Sequence, residues 1–343
     1  MRLNKNIKIF INYFLGPLLF LWLCYSIYNQ LTAQSHLLDS WAHIKQSFNS
    51  PKIGYLVLAI ILMFFNWGIE AAKWKISVQD IHAISFSKAF KAVLSGVSVS
   101  VTTPNRVGEY IGRMMFMPEG KRLQVIAVSL IGSISQLLVT LVVGMVGIMV
   151  LKDSLFSGNI LNSAFYRSIM VGLFLGALTL TLFYFNLSRV EKWLEKVLKA
   201  KSLLYFIQAV QHFRMHRLSL LLLLSFGRYS VFVMQYILLF RLFEVRVEAI
   251  TLFWLMSLVF LALAIIPTIA VVVEFGIRGE VCLQLVGLFT ANSLGIILTS
   301  ATIWIVNLII PALAGSLLIL TIKIFKRREE KRVHKHRINE VEV

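Results

Sequence analysis

The chain has 343 residues, of which 58% are hydrophobic and 15% charged, and its 34 Lys and Arg against 16 Asp and Glu give a formal net charge of +18. Several apolar blocks reach the ~20 residues that a helix needs to cross hydrocarbon, which excludes a water-soluble globular enzyme and indicates an all-α polytopic membrane protein. The basic residues fall at the ends of those blocks and in the C-terminal tail, where they set topology and meet anionic headgroups, so no nucleic-acid partner is expected.

The first expected span is 7–28, uncleaved because no small-residue cleavage site follows it. A weakly charged loop to Lys52 reads as external, and 54–74 is the second span. It ends in NWGIEAAKWK, where Glu70 and Lys73 share a helical face and are expected to pair at the membrane edge. The strongly basic region that follows is placed at the cytoplasm. Within it lies SGVSVSVTTPNRVGEYIGR, Ser95 to Arg113, a polar and broken segment in an otherwise greasy chain. Residues 85–101 are too short and Ser-rich to cross, Pro104 interrupts helical geometry, and 107–117 resume a helix before Pro118 and Gly120. Broken backbone at membrane depth is tolerated only where it is buried in protein or lines water, so this is read as a re-entrant hairpin.

Residues 125–151 form the third span, with Ser133 and Gln136 expected to bond across helices. The loop 152–167 is external and 168–185 returns as the fourth span. An amphipathic interfacial helix over 188–217 contains His212 and His216, four apart but without an acidic partner. Cys24 and Cys282 lie in apolar runs, so neither a metal site nor a cofactor is expected. In the fifth span, 219–240, Arg228 sits two turns inside the apolar run and either snorkels outward or faces a cavity. A short apolar segment at 250–266, the stretch IPTIAVVVEFGIRGEV and a brief helix at 281–288 read as a second re-entrant hairpin. The last span, 294–325, carries Asn307 and Pro311 and leads into KRREEKRVHKHR. This gives one membrane domain over 1–326, with approximate halves 1–151 and 168–326, and a basic cytoplasmic tail at 327–343. The expected location is the cell membrane, multi-pass, with both termini cytoplasmic.

Six spans and two hairpins then repeat in order, with the second half inverted relative to the first. Paired broken segments of this kind point to a transport site near the bilayer midplane. Helix N-termini and guanidinium groups suit a phosphate, with Arg106 and Arg278 as its candidates. The candidate substrate-binding set is Thr103, Pro104, Arg106, Glu109, Arg113, Arg228, Glu274, Arg278 and Glu280. The competing reading is that these Arg and Glu side chains only pair to hold broken helices together. The expected partners are membrane lipids with anionic or phosphate-bearing headgroups. A lipid translocase is the leading function; an intramembrane enzyme on a lipid-linked substrate and an accessory subunit of an envelope-lipid machine are the alternatives. No GxxxxGK[ST] motif occurs, so ATP coupling would need another subunit.

At TPNRVGEYIGR and GIRGE, with NWGIEAAKW and RYSVFVMQYILLFRLFEV, most of the chain resembles the lysylphosphatidylglycerol synthase transmembrane-region family of flippase-like proteins. The resemblance implies a membrane domain that moves a lipid between leaflets, an aminoacylated phospholipid in the best-known members. This sequence has no counterpart of their soluble aminoacyl-transferase domain, so aminoacyl transfer is not implied. Ser133 and Gln136 stand where many relatives carry an Arg and an acidic residue, which puts the same headgroup preference in question. VEFGIRGEV has an extra Gly before Glu280, leaving either Glu274 or Glu280 for the acidic role.

Overall fold

The computed structural model describes residues 50–101, 103, 106–186, 213–266 and 271–321, together with single positions 25, 42, 45 and 46. The expected first span, most of the interfacial helix and the basic tail lie outside the described residues. The described residues form helices and connections without a strand: α1 (Ile53–Val78), α2 (Phe86–Ser100), α3 (Gly108–Met114), α4 (Arg122–Val150), α5 (Lys152–Ser157), α6 (Ser163–Phe185), α7 (Met215–Leu242), α8 (Ala249–Ile265), α9 (Val271–Val286) and α10 (Ser293–Thr321). Among them α1, α4, α6, α7 and α10 are long and apolar enough to cross a membrane.

The seam of the molecule is the α1/α7 pair, which runs antiparallel along its whole length. Lys52 Nζ meets Glu244 Oε1 at 2.5 Å, Gln235 Nε2 donates to the Ala59 carbonyl at 2.8 Å, Arg228 Nε donates to Asn66 Oδ1 at 2.8 Å, and Arg217 pairs with Asp80. From residue 52 to residue 80 this ladder covers about 42 Å of helix at 1.5 Å per residue. That matches a bilayer with its headgroup regions, about 40–45 Å. The ion pairs at both ends are partly exposed, and the Asn66–Arg228 rung falls midway between them.

Each end of the seam launches a half-depth hairpin. Beyond the Asp80 end, Ser85 caps α2 by accepting the Lys88 amide at 3.3 Å, and the 15 residues of α2 reach only about 22 Å inward. After the break, α3 heads back, and Lys121 Nζ donates to the Ile81 carbonyl, returning the chain to the end it left. The second hairpin does the same from the Glu244 end. Its inbound helix is α8, with 17 residues, and after α9 Asn292 Nδ2 donates to the Phe243 carbonyl at 3.0 Å. Each hairpin thus returns to the end of the seam that it leaves, and the two do so at opposite ends, in the order the inverted-repeat reading expects.

Packing between the halves is reciprocal. Gly144 and Gly147 of α4 lie against Leu261 and Ser257 of α8, while Gly315 of α10 lies against Leu94 of α2. Likewise Ser135 of α4 bonds Ser225 of α7 at 2.8 Å, and Asn307 of α10 accepts from Asn66 of α1 at 3.2 Å. Within the first hairpin, Gly96 and Gly112 let α2 and α3 meet backbone to backbone: a Cβ on Gly112 would lie 2.5 Å from Gly96 Cα. Close approach of small residues is how helices associate where lipid supplies no hydrophobic drive.

Two of the differences from the sequence reading concern where helices start. The helix of the second hairpin starts at Val271 and not at 281, so Glu274, Arg278 and Glu280 lie on α9 and not in a loop. Gly276 and Gly279 weaken a helix by about 1 kcal/mol each, but α9 packs on both α8 and α10, and the Glu274–Arg278 pair at i,i+4 supports it. α6 begins at Ser163 instead of 168, because Asn162 caps it by accepting the Phe165 amide at 2.8 Å. α10 contains a π-turn over Ile305–Ile309, just before Pro311, whose missing N–H frees a carbonyl one turn back.

Candidate functional site

The two hairpins meet between the halves through residues next to their breaks. Arg106, in the turn between α2 and α3, reaches Glu274 on the first turn of α9, with Nη2 to Oε1 at 2.6 Å. Its backbone is left-handed, φ 55°, a conformation that strains a non-glycine residue by about 1–3 kcal/mol and aims its side chain across the interface between hairpins. Thr103 holds this turn: its hydroxyl accepts the Gly108 amide at 2.8 Å and so satisfies the first amide of the seven-residue α3. Glu274 Oε1 also accepts from Arg278 Nη2 at 2.9 Å, while Arg278 Nη1 donates to the Tyr236 hydroxyl at 2.8 Å.

Behind these pairs lies a cavity of about 60 Å³, room for a few water molecules. Arg106, Arg228, Glu274 and Arg278 line it, with Asn66, Trp67, Trp304 and Asn307. Arg228 neither snorkels away nor stands alone: its guanidinium lies 5.1 Å from the centre of the Trp67 ring, and its Nη1 is 3.3 Å from Glu70 Oε2. The orientation of the amides follows from the network. Arg228 can only donate, so Asn66 presents Oδ1 to it and Nδ2 to Asn307 Oδ1. That leaves Asn307 Nδ2 without a partner among the described residues, as are Trp67 Nε1, Trp304 Nε1 and Arg278 Nε. Buried donors left in this state cost about 1–3 kcal/mol each.

A second, drier cluster adjoins the cavity through Arg228. Glu70 Oε1 accepts from Arg113 Nη2 at 2.9 Å, and its Oε2 is 3.3 Å from both Lys73 Nζ and Arg228 Nη1. Glu109 meets the same Arg113 at 3.3 Å. Glu70 is 7% exposed, Lys73 2% and Arg113 4%, so the Glu70–Lys73 pair expected at the membrane edge is instead enclosed where α1, α3 and α7 come together.

Of the nine candidate residues, Arg106, Arg228, Glu274 and Arg278 share the cavity. Arg113 and Glu109 belong to the Glu70 cluster, Thr103 braces the hairpin turn, and Pro104 lies outside the described residues. Between the two acidic alternatives in VEFGIRGEV, Glu274 faces the cavity, whereas Glu280 accepts from Gln284 on its own helix at 3.0 Å. Ser133 and Gln136 bond across helices as expected, to Tyr110 at 3.1 Å and to the Ser225 carbonyl at 3.5 Å. Sequence reasoning missed Asn66, Trp67, Trp304 and Asn307 as lining residues. The signal was there in NWGIEAAKW: Asn66, Trp67 and Glu70 fall on one face at i, i+1 and i+4. His216 begins α7, and no group of three or more His, Cys, Asp or Glu residues suited to a metal occurs among the described residues.

Comparison with curated proteins gives no match. A family profile described as the lysylphosphatidylglycerol synthase TM region matches residues 13–315, which include every helix named above except the last turns of α10. Multi-pass architecture, paired hairpins and this match agree, and the chain belongs to the lysylphosphatidylglycerol synthase transmembrane-region family.

Proposed function

We propose that the protein is a lipid translocase, which passes a phospholipid or lipid-linked headgroup between leaflets through the space between its two hairpin tips. The observation that carries this reading is the Arg106–Glu274 bridge at 2.6 Å, which ties hairpins entering from opposite ends of the seam across a polar cavity at mid-depth. Ionisable side chains at such depth are expensive to place and commonly mark a substrate pathway. The cavity has room for only a few waters, so a headgroup is admitted by parting the hairpins, with the substrate taking over the guanidinium contacts that Glu274 now holds. Opening one hairpin at a time exposes the site to one side at a time. The Lys and Arg flanking the Asp80 end support an orientation with that end, and both termini, on the cytoplasmic side of the cell membrane.

Purified protein reconstituted into liposomes with a trace of fluorescent phospholipid tests the reading. Reductant-accessible fluorescence should rise from the outer-leaflet half toward completion, with the lipid chemically unchanged by mass spectrometry. Fluorescence that stays at the level of protein-free liposomes refutes translocation, and a chemically altered lipid assigns the site to an enzyme.

A further inference from the structure

The charges and hydrogen-bonding groups of the cavity are lopsided. Arg106, Arg228 and Arg278 face one carboxylate, Glu274, an excess of two positive charges. The neighbouring cluster does not absorb the excess: Glu70, which also meets Arg228, and Glu109 face Lys73 and Arg113 there, so the two sites together hold five cations and three carboxylates and the excess stays at two. The unpartnered buried atoms of the lining have the same bias. Trp67 Nε1, Trp304 Nε1, Asn307 Nδ2 and Arg278 Nε are all donors, and no lining acceptor is among the buried unpartnered atoms. Trp67 is 4% exposed, and Arg278 and Asn307 are 7% exposed, so bulk water does not satisfy them. A ligand that completes this site brings negative charge and acceptor oxygens, and no ammonium group.

We infer that the cavity is a site for an acceptor-only anion, the phosphate group of a net-anionic headgroup, and that it discriminates against a headgroup bearing an added cationic amine. This deepens the translocase reading, on which it rests for the ligand being cargo. A phosphate group presents only acceptors to indole, amide and guanidinium N–H groups, and Arg binds it through two parallel bonds. An aminoacylated headgroup would add an ammonium that meets three guanidinium groups and only one carboxylate.

The test is binding without transport, on the full chain in neutral detergent. Phosphatidylglycerol, phosphatidylcholine and lysylphosphatidylglycerol compete at equal concentration, and the bound lipid is identified by native mass spectrometry; inorganic phosphate is added in a separate arm. Phosphatidylglycerol should be favoured over lysylphosphatidylglycerol by about tenfold or more. Asn307→Asp, which is isosteric, removes a donor and adds a negative charge, so it should erase most of that preference, and Arg278→Gln should do the same. If a variant does not fold, the preference of the unaltered protein still decides. Displacement of the lipid by inorganic phosphate supports the inference and locates recognition in the phosphate group; displacement by phosphatidylglycerol alone supports it with the lipid as source. Equal or tighter binding of lysylphosphatidylglycerol overturns the inference, as does a preference untouched in folded Asn307→Asp. Transport of lysylphosphatidylglycerol in liposomes would overturn it while leaving translocation standing; selective binding without transport would do the reverse.

Discussion

Replacing Glu70 by Gln is the sharpest test of how the charged interior holds together. The substitution keeps shape and removes one negative charge that three cations share: Arg113 at 2.9 Å and Lys73 and Arg228 at 3.3 Å. Lys73 and Arg113 are almost wholly enclosed and have no route to water, so most of the attraction is lost without rehydration in return. Glu109, on Arg113 alone, is left to balance the cluster. Breaking a buried pair by removing one partner costs about 3–5 kcal/mol, which is roughly two to three and a half orders of magnitude in the folded-to-unfolded ratio. Reversible unfolding in mixed detergent–SDS micelles, followed by far-UV circular dichroism, measures it. Arg113→Gln alone should be similarly harmful, and the double variant Glu70→Gln/Arg113→Gln less harmful than the sum, because it removes an orphaned charge, by about 0.5–3 kcal/mol of coupling. A loss below about 1 kcal/mol for Glu70→Gln, or strict additivity in the pair, would refute the enclosed-cluster account.

Arg106→Gln should leave folding within about 1 kcal/mol, since the Arg106 side chain is 40% exposed, yet reduce lipid movement about tenfold by unlinking the tips; unchanged movement in liposomes would remove the bridge from the mechanism. Gly112→Ala puts a Cβ 2.5 Å from Gly96 Cα and from the Ser95 carbonyl, both backbone, so thermal melting should reveal a loss of about 1–3 kcal/mol. An undiminished melting temperature would show that α2 and α3 can separate freely. Cysteines at the exposed positions Gln79 and Asp153 should react with an impermeant maleimide from opposite faces of the membrane; labelling from one face would overturn the proposed orientation.

The hairpins were legible because hydrocarbon leaves few choices for a segment such as TTPNRVGEYIGR, and a break flanked by half-length apolar helices has to be enclosed. Pairing the two hairpins also set Arg106 beside Arg278, with the acid left open between Glu274 and Glu280. The register of the seam was not legible. Asn66 and Arg228 are 162 positions apart, and their meeting depends on how α1 and α7 slide past one another, which no local pattern encodes. The same holds for Asn307, whose approach to Asn66 depends on a π-turn that shifts the face of α10. Glu70 and Lys73 were correctly paired from their spacing, but their depth was misjudged because Arg113 and Arg228, which allow the burial, come from α3 and α7. The start of α9 was missed for a different reason: glycine propensity argued against helix, and packing against α8 and α10 outweighed it.

The rungs between α1 and α7 also determine how the protein meets membranes of different thickness. Two spans joined only by apolar contacts can shear past each other, each adjusting its own tilt to the local hydrocarbon. Here, Lys52–Glu244, Ala59–Gln235, Asn66–Arg228 and Asp80–Arg217 pin the pair at four depths, so it tilts as one plank or makes the lipid deform around it. Hydrophobic mismatch is then transmitted undiluted to the two hairpins anchored at its ends. Acyl-chain length should therefore change the activity of this protein through the separation of its hairpin tips, even with the headgroup held constant.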